Sequence, residues 1–257
     1  MKISKIFMAT ITATALLFTG SALAAGDGLD FTVDEYGLIN NPAGSSQFVA
    51  DAVSFHFTAD THQYMTGSGA FTETGRMDLT SFILNNTPLS GLGLNQDYTI
   101  YGNFSATGTS EFGNIFGDNL IRATFETFTF DLYVEYASGD VFQLGAASLA
   151  TNPLSLSYIH QNPANGVASG DYKVFLDFQA SVYGSNFFID PSPFNLELAL
   201  DGVLGFLSQD MLNVSEAEFN KQGSGDAWFK QRDVPEPASL ALFGLGLLGL
   251  GFIRRRA

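Results

Sequence analysis

The chain has 257 residues, no cysteine and a formal net charge of −15, which excludes a disulfide framework and any thiol-based catalysis. Of its residues 46% are hydrophobic and 25 are phenylalanine, so a large core can form without a metal or cofactor. Between positions 25 and 233 the chain holds six basic and 25 acidic residues, a net charge of −19. A body this acidic repels nucleic acid, so nucleic acid is excluded as a partner.

The first 24 residues have the pattern of a secretory signal peptide. Lys2 and Lys5 give it a positive start, and an apolar stretch follows from 6 to 18. Small residues at Ala22 and Ala24 then form the predicted cleavage site. The apolar stretch is shorter than the ~20 residues that cross a bilayer as a helix, which disfavours a permanent N-terminal anchor.

The body, predicted to cover residues 25–220, consists of runs in which apolar and polar residues alternate. The runs with this period of two are 53–57, 69–74, 98–107, 122–135, 172–182 and 194–201. In one of them Tyr172, Val174 and Leu176 share a face with Phe178, while polar residues occupy the other face. This pattern predicts strands that are buried on one side only.

Two local features interrupt this alternation. Phe125 falls out of phase with Phe128, which predicts a β-bulge between them, near Glu126. Residues 210–220 are predicted to form one or two helical turns, because Ser215 followed by Glu218 has the spacing of a capping box.

Turn-forming residues separate the runs, at 40–44, 85–88, 138–140, 162–166 and 190–193. Strands with one solvent-exposed face argue against a parallel sheet that is covered by helices on both sides. The predicted fold class is therefore all-β, an antiparallel β-sandwich or jelly-roll-like body. Polar, glycine-containing residues at 221–234 predict a linker between this body and the C-terminal tail.

Residues 235–257 form an apolar tail with a basic end. The tail opens with Pro235, Glu236 and Pro237, continues with sixteen apolar or small residues at 238–253, and ends with Arg254, Arg255 and Arg256. As a helix, the apolar segment is roughly 24 Å long, shorter than a ~30 Å hydrocarbon core, and it can insert where the bilayer thins locally. The arginines stop transfer and stay cytoplasmic, which leaves the acidic body on the far side of the membrane.

The prolines keep the segment ahead of this transmembrane helix extended and accessible to a membrane-embedded processing enzyme. On physical grounds, a processed tail and a plain anchor that is never cut are equally compatible with the sequence. The tail resembles the sorting tail of PEP-CTERM proteins, with Pro-Glu-Pro at 235–237, a glycine-rich apolar helix and a basic end at 254–256. This resemblance implies an exosortase as partner, transient anchoring in the inner membrane, and delivery to the surface or matrix of a Gram-negative bacterium that makes exopolysaccharide.

A second resemblance lies in the body. Short segments that resemble the flocculation-associated PEP-CTERM group are FTVDE at 31–35, FVAD at 48–51, GAFTETG at 69–75 and YTIYGNFSATGT at 98–109. The resemblance implies a role in holding cells together in flocs with exopolysaccharide, and it carries no catalytic residues.

Catalytic motifs are absent from the sequence, which lacks a G-x-S-x-G elbow, a phosphate loop and an H-E-x-x-H pattern. His56, Asp60 and His62 could approach one metal ion across a turn. The alternation of His56 with Phe55 and Phe57 instead favours an ordinary strand residue. His160 lies alone beside a turn.

Acidic and aromatic residues leave further alternatives open. Glycoside hydrolysis needs two carboxylates ~5–10 Å apart, and the candidates, which alternation assigns to a solvated face, are Asp131, Glu135, Asp177 and Glu197. A structural calcium ion could bind oxygen-rich segments at 27–34 or 117–119, although no cofactor is expected. The candidates for an aromatic sugar-binding platform are Tyr98, Tyr101, Tyr133, Tyr136 and Trp228.

The sequence thus predicts a non-enzymatic exported protein of the cell surface or extracellular matrix, sorted through its tail and contributing to flocculation or biofilm cohesion. The alternative is a secreted carbohydrate-binding module or a hydrolase that acts on matrix polysaccharide. Under either hypothesis no catalytic, cofactor-binding or metal-binding residue is assigned.

Overall fold

The structure is a computed structural model that describes residues 28–39, 47–64, 69–115, 118–151, 155–161, 168–206 and 216–231. Its strands are β1 Phe31–Asp34, β2 Gln47–Ala50, β3 Ala52–Tyr64, β4 Ala70–Leu84, β5 Thr87–Pro88, β6 Tyr98–Ile115, β7 Asp118–Tyr136, β8 Val141–Leu149, β9 Leu156–Gln161, β10 Ala168–Ala180, β11 Phe188–Asp190, β12 Asn195–Phe206 and β13 Glu216–Lys230. The helix α1 covers Gly184–Phe187. Within the described ranges, no helix has the length and apolar character needed to span a bilayer.

The long strands form one closed antiparallel ring. Neighbours pair in the order β12, β13, β3, β4, β6, β7, β8 and β10, and β10 pairs back to β12. Strands β8 and β9 occupy one position of this ring, because both lie between β7 and β10 at different heights. The described residues therefore form a β-barrel of eight strand positions, closed where the first and last long strands, β3 and β13, pair.

The predicted β-sandwich is wrong, although the all-β class is right. A sandwich and a barrel give the same alternation along each strand, because both bury one face and expose the other. What separates them is the pairing of β10 with β12 and of β13 with β3, which leaves no free edge in the ring. These pairings join residues far apart in the sequence, so alternation does not reveal them.

The boundary of the body is also corrected. Residues 221–230, predicted as a linker, belong to β13, and the predicted helical turns near Glu218 are replaced by the start of the same strand. Glycines give this segment its linker-like composition, but Gly223 and Gly225 are needed in the barrel wall. A side chain at Gly223 would overlap the ring of Phe57, and one at Gly225 would crowd the hydroxyl of Tyr172.

The barrel interior is filled by aromatic rings that lie over glycines of neighbouring strands. An added Cβ would overlap a core ring at each of these pairs: Gly75 with Phe104, Gly102 with Phe130, Gly108 with Phe71 and Gly145 with Phe178. An eight-stranded barrel is just wide enough for side chains to fill, and alternating small and large residues fit its taper. Most phenylalanines of the described ranges therefore belong to one core cluster, whereas Phe175 packs in a second cluster and Phe112 is exposed.

Other strand predictions are confirmed. Alternate side chains of β10 face the core of the barrel, and they are Tyr172, Val174, Leu176 and Phe178. The predicted bulge is present, since the pairing of β7 with β6 shifts at this point and leaves Glu126 without an opposite residue.

A second sheet, of three strands in the order β11, β1 and β2, lies against one end of the aromatic core. Phe31 of β1 contacts Phe229 edge to face with a centroid distance of 5.2 Å, and Phe188 of β11 stacks on Phe194 at 4.7 Å. These ring contacts join the small sheet to the barrel. The same end carries the buried polar residue Glu35, whose partners are described below.

Candidate functional site

The predicted sorting and signal residues lie outside the described ranges. They are Ala22, Ala24, Pro235, Glu236, Pro237, Arg254, Arg255 and Arg256. The predicted transmembrane helix at 238–253 also lies outside them, so these assignments remain sequence predictions.

The two histidines proposed to share a metal ion are not brought together. His56 and His62 are six positions apart on the same strand β3, roughly 20 Å along an extended chain. Asp60 accepts a hydrogen bond from the Asn220 side chain at 2.9 Å. Among the described residues, no group of three or more His, Cys, Asp or Glu could hold a metal ion.

One pair among the four candidate carboxylates is adjacent. Asp177 lies directly opposite Glu197 across β10 and β12, whereas Asp131 and Glu135 lie on β7. Asp131 accepts a hydrogen bond from the Gln143 side chain at 2.9 Å. All four side chains alternate with core residues and lie on the outer face of the barrel, as the sequence predicts.

The five candidate aromatic residues divide between core and surface. Tyr98 and Tyr136 are in the core, and Trp228 is buried on the outer side of β13. Tyr101 and Tyr133 lie opposite each other on the outer face of β6 and β7, with rings stacked at 5.5 Å. The stacked tyrosines are thus the two candidates that remain accessible as a surface platform.

The stack continues onto a third side chain. The guanidinium of Arg76 lies over the Tyr101 ring, 3.9 Å from its centroid, and its Nε donates to Asp78 Oδ1 at 2.8 Å. Arginine over an aromatic face is a favourable cation–π arrangement. We call Arg76, Tyr101 and Tyr133 the aromatic stack.

The two tyrosines of the stack belong to a longer row that crosses seven neighbouring strands. Each strand from β12 to β8 supplies one outward residue, and each of these residues pairs directly with the next. In order they are Val203, Ser224, His56, Asp78, Tyr101, Tyr133 and Gln143. We call this row the outer strip. At ~4.8 Å between strands, it is roughly 29 Å long.

One end of the outer strip contains a groove of about 450 Å³. Its sides carry Val203, His56 and Asp78, and Ser224 and Gly223 lie between them. The groove forms because these central residues are small, while the flanking side chains are longer. Its volume is within the ~300–1,000 Å³ typical of small-molecule sites.

A buried ion pair lies inside the barrel. Lys221 Nζ donates to Glu73 Oε2 at 2.6 Å, and the two side chains are 9% and 7% exposed. The pair lines an internal cavity of about 30 Å³ together with Tyr172, enough for one or two water molecules. In the described part of the chain, the Tyr172 hydroxyl has no hydrogen-bond partner. Sequence reasoning missed this pair by assigning Lys221 to a linker.

A second buried polar cluster closes the opposite end of the core. Glu35 is 1% exposed, and its Oε1 accepts hydrogen bonds from the Gly93 N–H and the Tyr98 hydroxyl, both at 2.7 Å. The Tyr136 hydroxyl donates to the backbone carbonyl of Glu35 at 2.7 Å. These bonds fix the residues after β1 to the loop before β6 and to the end of β7. Sequence analysis gave no signal for them.

Tyrosine pKa values are raised throughout these clusters. Burial, and for Tyr98 also its hydrogen bond to Glu35, raises the pKa of Tyr98, Tyr136 and Tyr172. A hydrogen bond to Asp97, followed by burial, raises the pKa of Tyr36 to about 12. In the unfolded chain these groups ionise near pH ~10, so the folded state holds more protons above that pH.

The stabilisation from these protonated tyrosines is therefore expected to be fully present below about pH 10. The free energy of unfolding should fall as the pH rises beyond it, by up to ~1.4 kcal/mol per pH unit for each of the buried tyrosines Tyr98, Tyr136 and Tyr172, and by less for Tyr36. Urea unfolding at pH 8 to 11.5 measures this slope. Tyr172→Phe should reduce the slope without loss of stability at pH 8, because the hydroxyl it removes has no partner in the described part of the chain. An unchanged slope in this variant would show that Tyr172 ionises normally.

The class of protein is indicated by the residues after the barrel, where Pro-Glu-Pro is followed by an apolar segment and three arginines. Residues 233–256 match the family model of the PEP-CTERM protein-sorting motif. This motif implies export, sorting by an exosortase at the membrane, and passage to the cell surface.

The other comparisons add little. No curated protein matches the chain. Among solved structures, the chain is similar to Ail, the attachment invasion locus protein of Yersinia pestis, in complex with the heparin analogue sucrose octasulfate, with 10% identity over 69% of this chain and 97% of that one. The TM-score of 0.14 is too low for this similarity to bear on fold or function.

Proposed function

We propose that the chain is a non-enzymatic protein of the cell surface or extracellular matrix that contributes to exopolysaccharide-associated flocculation. The observation that carries the proposal is the sorting motif at 233–256, which follows directly after the last barrel strand. An exosortase substrate is held at the membrane and then passed outward, so its barrel acts where cells meet the matrix. The resemblance of the short segments 31–35, 48–51, 69–75 and 98–109 to the flocculation-associated group supports the same role and remains a prediction.

The acidic charge of the body suits this location. A net charge of −19 between positions 25 and 233 keeps the barrel soluble and away from anionic surfaces. Because the barrel is acidic, electrostatic attraction to anionic polymers cannot hold it in the matrix. Cohesion then requires short-range contacts between the barrel and matrix polymers. The outer strip offers polar and aromatic groups for such contacts.

Deletion of the gene followed by a settling assay tests the proposal. Cells without the gene should settle more slowly, and the full-length chain should restore settling. A version that ends at Asp233 should be exported but fail to restore it, because it lacks the sorting motif. Normal settling of the deletion strain would contradict the proposed role.

A carbohydrate-binding module is the second candidate, favoured by the aromatic stack on the outer strip. A hydrolase differs from it by its products. When the released protein is incubated with the exopolysaccharide of the producing cells, a binding module should be retained on the polysaccharide and should form no new reducing ends. Release of reducing ends would instead identify an enzyme.

A further inference from the structure

We propose that the groove of the outer strip binds a segment of neutral polysaccharide, and so supplies the contact between the barrel and the matrix. This inference rests on the proposed function and names the ligand class of the site. The groove and the aromatic stack are continuous, because Asp78 lines the groove and is directly paired with Tyr101. A chain of sugars can therefore contact both.

The groove presents hydrogen-bonding groups that are free to bind a ligand. In the described part of the chain, the side chains of His56, Ser224 and Gln222 make no hydrogen bond or ion pair. They offer an imidazole, a hydroxyl and an amide along one side of an open surface. Such groups donate and accept hydrogen bonds at once, which matches sugar hydroxyls.

Apolar surface accompanies these polar groups. Val203 is 60% exposed at one side of the groove, and Tyr101 and Tyr133 extend the surface beyond Asp78. Sugar rings have apolar C–H faces as well as hydroxyls, so they need both kinds of contact. The ~4.8 Å repeat between the strands that supply these residues is comparable with the rise of one sugar unit in an extended polysaccharide.

Charge selects among polysaccharides. The carboxylate of Asp78 is paired with Arg76, so this part of the strip is close to neutral. The surrounding body is strongly acidic and repels polyuronates and sulfated chains. A neutral polysaccharide avoids this repulsion and keeps the hydroxyl contacts.

The same substitution at two outward serines gives a matched test. Ser224→Tyr fills the middle of the groove, while Ser148→Tyr places an equal side chain on the outer face of β8, away from it. Ser148 is exposed and Ser224 is partly exposed on the outer face of the barrel, so both variants should fold, and thermal melting of each checks this. Ser224→Tyr is expected to weaken polysaccharide binding by about tenfold or more, because the new ring clashes with the ligand.

Affinity electrophoresis of the protein as the producing cells release it measures this binding. The gels contain hydroxyethyl cellulose, galactomannan, the neutral fraction of the cells' own exopolysaccharide, or polygalacturonate. Retardation of the wild type and Ser148→Tyr in a neutral gel, lost in Ser224→Tyr and absent with polygalacturonate, supports the inference. Lack of retardation in every neutral gel, or equal retardation of both variants, overturns it.

Settling separates this inference from the proposed function. Cells that deliver the Ser224→Tyr variant to their surface at the wild-type level should settle as slowly as the deletion strain. If cells with this variant settle normally although polysaccharide binding is lost and the deletion strain settles slowly, the cohesion role stands and the groove is not the contact with the matrix, which overturns the inference. If the variant keeps binding while the deletion strain settles slowly, the cohesion role stands and the groove is overturned.

Discussion

Lys221→Met is expected to lower the free energy of unfolding by about 3–5 kcal/mol, because it leaves a buried carboxylate without its counter-charge. The Glu73 side chain is 7% exposed and lies among the core rings of Phe57, Phe104 and Phe128 around the internal cavity. Water cannot solvate its charge there as it does at the surface. Urea denaturation of the purified protein at pH 7 measures the change.

Two further variants test the cause. The double variant Glu73→Leu with Lys221→Met removes both charges and should recover most of the lost stability, since a buried ion pair is often replaceable by apolar residues. Arg76→Met breaks the surface pair with Asp78, whose side chains are 46% and 57% exposed, and should cost at most ~1 kcal/mol. If Lys221→Met and Arg76→Met lower the free energy of unfolding by the same small amount, burial does not determine the energy of the Lys221–Glu73 pair.

Glu35→Leu is the second substitution with a large expected effect, a loss of about 3–5 kcal/mol. It leaves the Gly93 N–H and the Tyr98 hydroxyl buried without an acceptor, and each such group costs ~1–3 kcal/mol. Glu35→Gln keeps an oxygen at the same place and should cost about half as much. Denaturation with urea at pH 7 measures both variants.

Tyr98→Phe tests whether the lost hydrogen bond from the Tyr98 hydroxyl contributes to the destabilisation by Glu35→Leu. In the wild type the change removes one donor to Glu35, and in Glu35→Leu it removes a donor that already lacks an acceptor. Its cost should therefore be smaller in the Glu35→Leu background. Equal costs in both backgrounds would show that the Tyr98 hydroxyl and Glu35 are not coupled.

Alternation along the chain predicts six long strands of the barrel, β3, β4, β6, β7, β10 and β12, but not the way they close. Tyr172, Val174 and Leu176 mark the inner face of β10 because each of them packs against the core from the same side. The pairing of β10 with β12 depends on contacts between distant segments, so a local pattern cannot distinguish a barrel from a sandwich. The sequence therefore predicted the class and the strand faces, and the structure supplied the topology.

The last strand was missed for a local reason. Gly223 and Gly225 suggest a flexible linker when they are considered without their neighbours, but they face Phe57 and Tyr172 inside the barrel. Lys221 likewise suggests a solvent-exposed segment, although its charge is paired with Glu73. Only the positions of residues on other strands reveal why a strand here needs glycine and lysine.

The candidate sites were predictable to different degrees. The tail carries its signal in consecutive residues, 235–237 and 254–256, so it could be identified without a structure. The outer strip draws one residue from each of seven strands, and its members are adjacent only after the register is known. Tyr101 and Tyr133 were candidates from their type alone, whereas Ser224 and Asp78 gave no sign in the sequence.

Subcellular fractionation of the variant in which Pro235, Glu236 and Pro237 are all alanine tests the central claim most directly. Wild type is expected at the cell surface or in the matrix, while the variant should lose its signal peptide normally but remain in the cytoplasmic membrane. Mass spectrometry of the two chain ends identifies each form. Equal delivery of variant and wild type to the surface would contradict sorting through the tail.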